Sequence, residues 1–379
     1  MARAHDVLVV GAGIVGAACA LALRGEGLNV AVIDAASPGS GITAAGMGHL
    51  VAVDESDAEL DLCLFSLRLW RDFFEAHPKV GDVSHCGTLW VAESDDQLAE
   101  AAQRGARLAA RGLHAELLTG EQAGKLEPAL RPGLHGALRV SGDSVVYPPA
   151  VADFLVRQLV SRGGAFYAGQ RVAAVNAGGV TLADGSRIAA GQVVVAAGAA
   201  MARLLPEVPV FGRKGHLAIT DRYPGALAHQ VVSMHYGQGA GGAGALAVAA
   251  NVQPRPGGQW LVGSCRQDGL HDAGVDPAVL AHVLRAAIAL LPSLGGMNII
   301  RAWTGMRPAT PDGRPLIGAH PARSGVWLAG GHEGLGVTTA FGSARLLADL
   351  MLGRDGELDP APYAPSRFAA LTRMPHAGC

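Results

Sequence analysis

The chain has 379 residues, of which 50% are hydrophobic and 16% charged, and its formal net charge at pH 7 is −2. This length is enough for a large buried core and about two domains. The near-neutral charge, without a basic stripe, argues against nucleic-acid binding. An odd number of cysteines with no C-x-x-C motif argues against a disulfide framework and a dithiol mechanism, so we expect small buried thiols at Cys19, Cys63, Cys86, Cys265 and Cys379.

The most informative part of the sequence is its N-terminal order of strand, glycines, helix, strand and acid. A short apolar run leads into G-x-G-x-x-G at 11–16, a helix of small residues follows, and a second apolar run ends at Asp34. Gly11 allows a sharp turn, Gly13 lets the backbone approach a pyrophosphate, and Gly16 lets helix and strand pack closely. Asp34 suits a hydrogen bond to a ribose 2′-OH. This order predicts a dinucleotide with its diphosphate at the helix N-terminus, a structural glycine turn being the alternative.

The same stretch has a second interpretation, because residues 7–23 carry no charge. Signal peptides and membrane spans contain such runs. Three glycines would weaken a spanning helix, whereas dinucleotide binding accounts for each of them. We therefore expect a soluble, cytoplasmic protein.

Helices and strands alternate through the middle of the chain. Capping patterns and apolar periodicity predict helices that begin near Ser56, Leu98, Thr119, Pro148 and Pro277. Short apolar runs predict strands at 88–92, at 171–175 and, returning to the central sheet, at 192–198. A hairpin turn is predicted at 184–185, and a glycine-rich loop at 237–244.

Two C-terminal motifs have the features of a redox site. The first contains Arg307 and a T-P-D-G turn, and the second is the loop GGHEGLGVTT at 330–339, which runs into a helix. A glycine loop that opens a helix offers N–H groups and a positive dipole end, which would stabilise the charge that a flavin develops at its N1–C2=O edge during reduction. The planar guanidinium of Arg307 can pair bidentately with a carboxylate. The alternatives are a glycine turn before a packed helix and an arginine in a structural ion pair.

Over its whole length the chain resembles the FAD-dependent D-amino-acid oxidase and dehydrogenase superfamily, which includes glycine oxidase and D-amino-acid dehydrogenase. The motifs that carry the resemblance are the N-terminal glycines with Asp34, SGITAAGM at 40–47, VVVAAG at 193–198, RPATPDG at 307–313 and GGHEGLG at 330–336. Within the superfamily, GITAAGMGHL at 41–50 and GGHEGLGVTTA at 330–340 are most similar to bacterial D-hydroxyproline dehydrogenases.

The resemblance implies an α/β fold with two discontinuous domains. The FAD-binding domain, a Rossmann-like sheet of the glutathione-reductase type, would comprise residues 1–80, 144–208 and 303–379. The substrate domain, α+β with a mixed antiparallel sheet, would comprise residues 81–143 and 209–302.

It also implies which residues hold FAD. The ADP half would lie on the N-terminal glycines, the adenine beside Val172, the ribityl chain along 197–198 and the isoalloxazine against 331–338. The implied set is Gly11, Gly13, Ile14, Val15, Gly16, Asp34, Ser40, Thr43, Ala44, Ala45, Gly46, Met47, Val172, Ala197, Gly198, Arg307, Gly331, His332, Glu333, Gly334, Leu335, Gly336, Val337 and Thr338. No metal is expected, because the sequence has no metal-ligand spacing such as H-E-x-x-H.

The implied catalytic residues are Arg307, His49, His332 and Glu333. Arg307 would hold the substrate carboxylate; the other three would lie near the flavin, where local hydrogen bonding is the alternative to substrate contact. The chain departs from glycine oxidases at 251–253, where Asn-Val-Gln precedes Pro-Arg in place of an aromatic substrate-site residue. This departure predicts an incomplete carboxylate clamp and a more open pocket. The acid at 34 is Asp where many relatives have Glu, a change that ribose binding tolerates.

The implied reaction is oxidation of a D-amino acid, best matched by D-hydroxyproline or D-proline, through hydride transfer from Cα to flavin N5 to give an imine. Glycine, sarcosine, a D-2-hydroxy acid and an opine are alternative substrates. A flavin monooxygenase is another class, disfavoured because no second GxGxxG motif is present for a nicotinamide. A non-catalytic nucleotide-binding module would leave the loop at 330–336 without a purpose.

The implied partners are a small amino-acid substrate and an electron acceptor, which is oxygen, a quinone or a partner subunit. Homo-oligomers and hetero-oligomers both fit, and so does a peripheral position at the inner membrane through the acceptor. Covalent flavin attachment through a cysteine is the alternative to a non-covalent cofactor.

Overall fold

The computed structural model describes residues 5–52, 56–234, 246–270 and 272–368. The predicted loop at 237–244 and Cys379 lie outside these residues. The helices, in chain order, are α1 (Ile14–Gly25), α2 (Ile42–Ala45), α3 (Asp57–Ala76), α4 (Asp95–Ala110), α5 (Gly120–Leu126), α6 (Pro148–Ser161), α7 (Met201–Leu204), α8 (Pro277–Leu290) and α9 (Ala340–Met351).

The strands form two large sheets and one short pair. In chain order they are β1 (His5–Val10), β2 (Val30–Asp34), β3 (His49–Leu50), β4 (Thr88–Ala92), β5 (Ala115–Thr119), β6 (Gly136–Val140), β7 (Ser144–Val145), β8 (Ala165–Ala168), β9 (Val172–Asn176), β10 (Gly179–Leu182), β11 (Arg187–Val195), β12 (Phe211–Arg222), β13 (Gln230–Ser233), β14 (Ala247–Pro254), β15 (Gln259–Asp268), β16 (Ile299–Ala309), β17 (Leu316–Ala319) and β18 (Val326–Gly330).

The first sheet confirms the predicted Rossmann-like architecture. Its order is β17-β18-β11-β1-β2-β8, and all neighbours are parallel except β17 and β18. One face packs against α1, α6 and α9 in a core of aliphatic and alanine side chains, and residues 172–210 supply most of the layer on the other face. The predicted return strand lies between β1 and β18, and the predicted hairpin joins β10 to β11.

The second sheet confirms the predicted mixed antiparallel arrangement. Its order is β16-β12-β15-β14-β13-β4-β6-β5, and only β13 and β4 run parallel. Helix α8 packs on one face, and α4 covers β4, β5 and β6. Within the described residues, no helix is long and apolar enough to cross a membrane.

The division into two discontinuous domains stays a proposal. Strands of the first sheet come from 5–34, 165–195 and 316–330, and strands of the second come from 88–140 and 211–309. The proposed boundary at 303 falls inside β16, so this strand runs from the edge of the second sheet toward the first. Arg307 is carried on that stretch.

Helix ends follow the capping pattern. The predicted capping box at Thr119 is present, with Gln122 bonded back to the backbone of Thr119. Helix α6 begins at Pro148 as predicted. Helix α4 begins at Asp95, before the predicted start, because Ser94 Oγ accepts a hydrogen bond from Gln97 N at 3.3 Å. The four cysteines in the described ranges are free thiols, and Cys86 is only partly buried.

Candidate active site between the two sheets

One cavity of about 680 Å³ runs from the N-terminus of α1 to the end of β16. Twenty of the predicted site residues line it: Gly11, Gly13, Ile14, Val15, Asp34, Ser40, Thr43, Ala45, Gly46, Met47, His49, Val172, Ala197, Gly198, Arg307, His332, Glu333, Gly334, Gly336 and Val337. These residues come from both sheets and from segments more than 300 positions apart in the sequence. The fold therefore brings the N-terminal and C-terminal motifs to one site.

Five predicted cofactor residues lie outside the wall of this cavity: Gly16, Ala44, Gly331, Leu335 and Thr338. Gly16 has the packing role expected of it, because a Cβ there would lie 2.0 Å from Gly11 O. Gly331 has φ +75°, and a Cβ there would lie 2.5 Å from a Thr310 methyl carbon. Both glycines shape the backbone behind the wall.

Thr338 and Leu335 act beside the cavity. Thr338 Oγ1 donates to His49 O at 2.9 Å, which ties the C-terminal loop to β3. Leu335 lines a smaller chamber described below. Ala44 lies within the short helix α2.

The N-terminus of α1 fits a diphosphate. Gly11 has φ +110°, and a Cβ there would lie 2.5 Å from Ala196 O, so the tight turn requires glycine. Gly13 is the N-cap, no side chain caps it, and the first turn of α1 contains no acidic residue. Thr43 Oγ1 accepts from Ile14 N at 3.1 Å and so closes one of the exposed N–H groups. The other N–H groups and the helix dipole suit an anion.

Asp34 is held in a defined orientation at the cavity wall. Its Oδ2 accepts from Ala12 N at 2.7 Å and its Oδ1 accepts from Ala36 N at 2.9 Å. A carboxylate has about four acceptor positions, so each oxygen can accept a further hydrogen bond from a ribose hydroxyl. The geometry fits the predicted ribose contact.

The segment around α2 is clamped onto β16. Trp303 Nε1 donates to Ala45 O at 3.3 Å. A Cβ at Gly305 would lie 2.8 Å from Ile42 Cδ1 and 3.0 Å from Ala45 Cβ, so the strand approaches this helix closely. This contact closes the cavity over its middle.

Arg307 lies half-buried in the cavity wall near His49. Its Nη1 donates to Cys265 O at 2.9 Å and its Nη2 donates to Ser264 Oγ at 2.6 Å. A Cβ at Gly215 would lie 2.7 Å from the guanidinium, so glycine on the neighbouring strand makes the space for it. Among the described residues no carboxylate forms an ion pair with Arg307, which speaks against a purely structural ion pair.

The two predicted histidines are buried in neutral surroundings. His49 Nε2 lies 3.2 Å from Asn251 Oδ1 and 3.1 Å from Gln253 Nε2. Burial lowers the pKa of His49 to about 4, and the charges of Arg255 and Arg307 act in the same direction. His332 Nε2 lies 2.9 Å from Ser343 Oγ, and burial lowers its pKa to about 4 as well. Both imidazoles are therefore neutral at pH 7.

Glu333 is held between two guanidinium groups. Its Oε1 accepts from Arg213 Nη1 at 2.9 Å and lies 3.4 Å from Arg266 Nε. Arg213 in turn makes a bidentate pair with Asp268. Glu333 also adopts φ +47°, a conformation uncommon for a residue with a side chain. Its charge is compensated within the protein, so its role is to fix the loop and the two arginines.

The C-terminal glycine loop differs from its prediction in one respect. The helix does not start within the loop but at Ala340, and the intervening residues form turns. Glu333 N donates to Pro308 O at 2.7 Å, and Leu335 N donates to His332 O at 3.0 Å. These two N–H groups are engaged inside the protein because the loop folds on itself and on β16 before the helix begins.

The departure at 251–253 places polar side chains around His49. Asn251 and Gln253 contact the imidazole, and Arg255 Nη1 donates to Val146 O at 3.2 Å and to Gln253 Oε1 at 3.3 Å. Arg255 does not line the cavity. The guanidinium that faces it on this side is Arg307, and the predicted incomplete clamp stays a prediction.

Sequence reasoning missed several wall residues. Among them are Gln170, Arg171, Arg203, Gly215, Leu217, Thr304 and Met306. Gln170 and Arg171 follow directly on β8, and Arg203 lies five residues after the predicted Gly198. Proximity to predicted motifs was the available signal for these three, whereas Gly215 and Leu217 reach the cavity only through strand pairing.

A smaller space adjoins the main cavity, and we call it the side chamber. Its volume is about 70 Å³, and it shares His49, His332, Glu333 and Gly334 with the main cavity. Its other walls are Val51, Glu59, Thr88, Trp90, Arg104, Val232, Asn251, Arg266 and Leu335.

A Rossmann-like sheet, a mixed antiparallel sheet and a shared cavity with a dinucleotide cradle at one end define a dinucleotide-dependent oxidoreductase. Residues 6–350 match the family model of the FAD dependent oxidoreductases termed DAO. The chain therefore belongs to this family, it is an enzyme, and its cofactor is FAD. The cradle at α1 and the acid at Asp34 fit the two halves of an ADP group.

Curated relatives extend over most of the chain. It is 28% identical to glycine oxidase from Geobacillus kaustophilus, over 97% of this chain and 98% of the relative. The crystal structure of glycine oxidase from that organism superposes with a TM-score of 0.86, at 27% identity, and covers 96% of this chain and 99% of its own. D-amino acid dehydrogenase from Cereibacter sphaeroides is 32% identical, over 76% of this chain and 66% of its own. Hydrogen cyanide synthase subunit HcnC from Pseudomonas aeruginosa is 26% identical over 97% of both chains.

Proposed function

We propose that this enzyme oxidises a small D-amino acid at its α-carbon, with D-hydroxyproline or D-proline as the preferred substrate. The single observation that carries the proposal is the guanidinium of Arg307 in the cavity wall. Its protein partners are a backbone carbonyl and a hydroxyl, both neutral. A positive charge with neutral partners in a partly desolvated site favours an anionic ligand, and a carboxylate matches the shape of a guanidinium.

The chain's own residues bind and orient the substrate. Arg307 holds the carboxylate, while Ser264 and Cys265 fix the guanidinium. The neutral imidazoles of His49 and His332 add no positive charge that would disfavour an amine nearby. Bound FAD supplies a two-electron acceptor for the oxidation of the carbon–nitrogen bond. Because orientation is the main contribution of the protein, we assign no side chain as a general base.

Two alternatives have specific support. Glycine or sarcosine, or an opine, is the substrate class favoured by the glycine oxidase relative. A catalytic subunit within a hetero-oligomer is favoured by the similarity to HcnC, whose name describes a subunit. We further propose a cytoplasmic location, with oxygen, a quinone or a partner subunit as the electron acceptor.

Anaerobic mixing of the purified holoenzyme with D- and L-amino acids, including the hydroxyproline epimers, tests the proposal through bleaching of the flavin. We expect bleaching by D-hydroxyproline or D-proline. Arg307→Ala should weaken the dependence on amino acid on the order of 100-fold, since it removes two charge-assisted hydrogen bonds. It should still retain FAD, because the diphosphate cradle is at the other end of the cavity.

The matched control is Arg301→Ala, which removes an exposed arginine from the same strand. It should leave the reduction unchanged. Unaltered amino-acid dependence in Arg307→Ala would remove the carboxylate assignment. Bleaching by L-amino acids alone would remove the proposed stereopreference.

A further inference from the structure

The side chamber is placed to receive part of a substrate held at Arg307. It adjoins the main cavity through His49, His332 and Glu333, and His49 is close enough to Arg307 for the two to interact electrostatically. A volume of about 70 Å³ exceeds what one water needs and is room for a substituent of a few heavy atoms. The chamber is therefore an extension of the proposed substrate site.

The chamber carries no net formal charge. Two carboxylates, Glu59 and Glu333, face two guanidinium groups, Arg104 and Arg266. Glu333 pairs with Arg213 as well, and Arg213 pairs with Asp268, so this extension is balanced too. A second carboxylate or an ammonium group entering the chamber would lose hydration without a surplus of opposite charge. The balance favours a neutral polar substituent.

Trp90 offers the chamber an unused hydrogen-bond donor. Its side chain lies on the same face of β4 as Thr88, is 6% exposed and has the Arg104 guanidinium 4.4 Å above its ring. Its Nε1 is buried and has no acceptor among the residues that the structure describes. An indole N–H can only donate, and a buried donor without an acceptor is costly.

The neighbouring polar groups already have partners. Thr88 Oγ1 accepts from Gln230 Nε2 at 3.2 Å, and Asn251 Oδ1 lies 3.2 Å from His49 Nε2. The group left to meet a ligand oxygen is the Trp90 N–H.

We propose that the side chamber takes a hydroxyl substituent of the substrate and that Trp90 Nε1 donates to its oxygen, so that Trp90 determines preference for hydroxylated over unsubstituted cyclic amino acids. This inference rests on the proposed function, because the substrate must be anchored at Arg307 for its substituent to reach the chamber.

Equilibrium binding to the oxidised holoenzyme tests the proposal without turnover. Cyclopentanecarboxylate and the stereoisomers of 3-hydroxycyclopentanecarboxylate have the ring of proline and hydroxyproline but no amine, so they cannot form an imine. Calorimetry should show one hydroxylated isomer binding about tenfold tighter than the unsubstituted acid, as expected for a buried donor that gains its acceptor. The corresponding 3-carboxylate and 3-amino compounds should bind more weakly than the unsubstituted acid.

Trp90→Phe should abolish the advantage of the hydroxyl while binding the unsubstituted acid as before. The matched control is Trp260→Phe, in the core on α8's side of the sheet, which should preserve the advantage. Equal binding of both acids by the wild-type enzyme would mean that the chamber holds water only, and it would overturn the inference even if Trp90→Phe did not fold. A hydroxyl advantage that persists in folded, FAD-loaded Trp90→Phe would overturn it as well.

Failure of the proposed function has a different signature. In that case neither acid would bind and no amino acid would bleach the flavin, and the inference would fall with it. Tight binding of the unsubstituted acid without a hydroxyl advantage leaves the proposed function standing and removes only the role of Trp90.

Discussion

At the scale of single residues, the position of Arg307 depends on what its neighbours lack. Gly215 has no Cβ, and the guanidinium occupies the space that a Cβ would need. No acidic side chain of the described residues pairs with Arg307, so its charge is available to a ligand. The identity of Arg307 was legible in the sequence, but the requirement for glycine at 215 was not, because it arises from the pairing of β12 with β16.

Gly215→Ala gives a residue-scale prediction. The new Cβ would lie 2.7 Å from the end of the Arg307 side chain, and a flexible side chain yields more easily than backbone. The enzyme should therefore fold and hold FAD, while the dissociation constant of a carboxylate ligand rises about tenfold. Titration of the holoenzyme with cyclopentanecarboxylate measures this.

Gly212→Ala is the control for that variant. It lies on the same strand, and its new Cβ would approach only the Met306 methyl carbon, at 3.0 Å. Its ligand affinity should match that of the wild type. If Gly215→Ala binds the ligand as tightly as Gly212→Ala does, the guanidinium is not where the account places it.

At the scale of elements, α1 receives help from a different segment. Its N-cap is Gly13, which has no side chain, and Thr43 next to α2 accepts the hydrogen bond from Ile14 N. The helix start and the loop that covers it are therefore coupled through one hydroxyl. The sequence predicted both segments as cofactor-binding but not this bond, because a cap normally comes from the helix's own flank.

Thr43→Val is the prediction that follows for α1. Valine keeps the shape of threonine and removes the acceptor, so the free energy of unfolding should fall by about 1 to 2 kcal/mol and FAD should dissociate faster. Urea unfolding and the rate of flavin release measure the two effects. Thr43→Ser keeps the hydroxyl and should remain close to the wild type; equal loss in both variants would show that the methyl group, not the hydrogen bond, matters.

Local signals explain which elements were predictable. The glycine motif, the acid of β2 and the capping box of α5 each lie within short stretches, so their chemistry can be read from neighbouring residues. Strand β6 carries a short apolar run without a clear period, and it was not predicted. The side chamber could not be predicted either, because Trp90, Asn251 and Glu333 meet only through the order of strands in the second sheet.

At the scale of the whole molecule, burial of His49 and His332 links folding to pH. Burial lowers the pKa of each imidazole from 6.5 to about 4, so the folded protein keeps both neutral. As the pH falls from 6.5 toward 4, the unfolded chain binds protons that the folded chain does not. Stability should therefore be fully present above pH 6.5 and be lost toward pH 4.

His332→Gln isolates one of these contributions. Each histidine accounts for a loss on the order of 3 kcal/mol when the pH falls through the whole interval, and glutamine does not titrate. The variant should lose less stability than the wild type between pH 7 and pH 5 in urea unfolding. His282→Gln, at an exposed histidine, is the control and should keep the wild-type slope. An unchanged slope in His332→Gln would contradict the buried, neutral state.

The central claim is that a substrate carboxylate binds at Arg307, in the cavity that both ends of the chain form around FAD. A crystal structure of the holoenzyme with pyrrole-2-carboxylate, a flat proline analogue that cannot be oxidised to an imine, tests it most directly. The account predicts the carboxylate in a bidentate contact with Arg307. A carboxylate bound instead at Arg266, or a ligand outside this cavity, would contradict it.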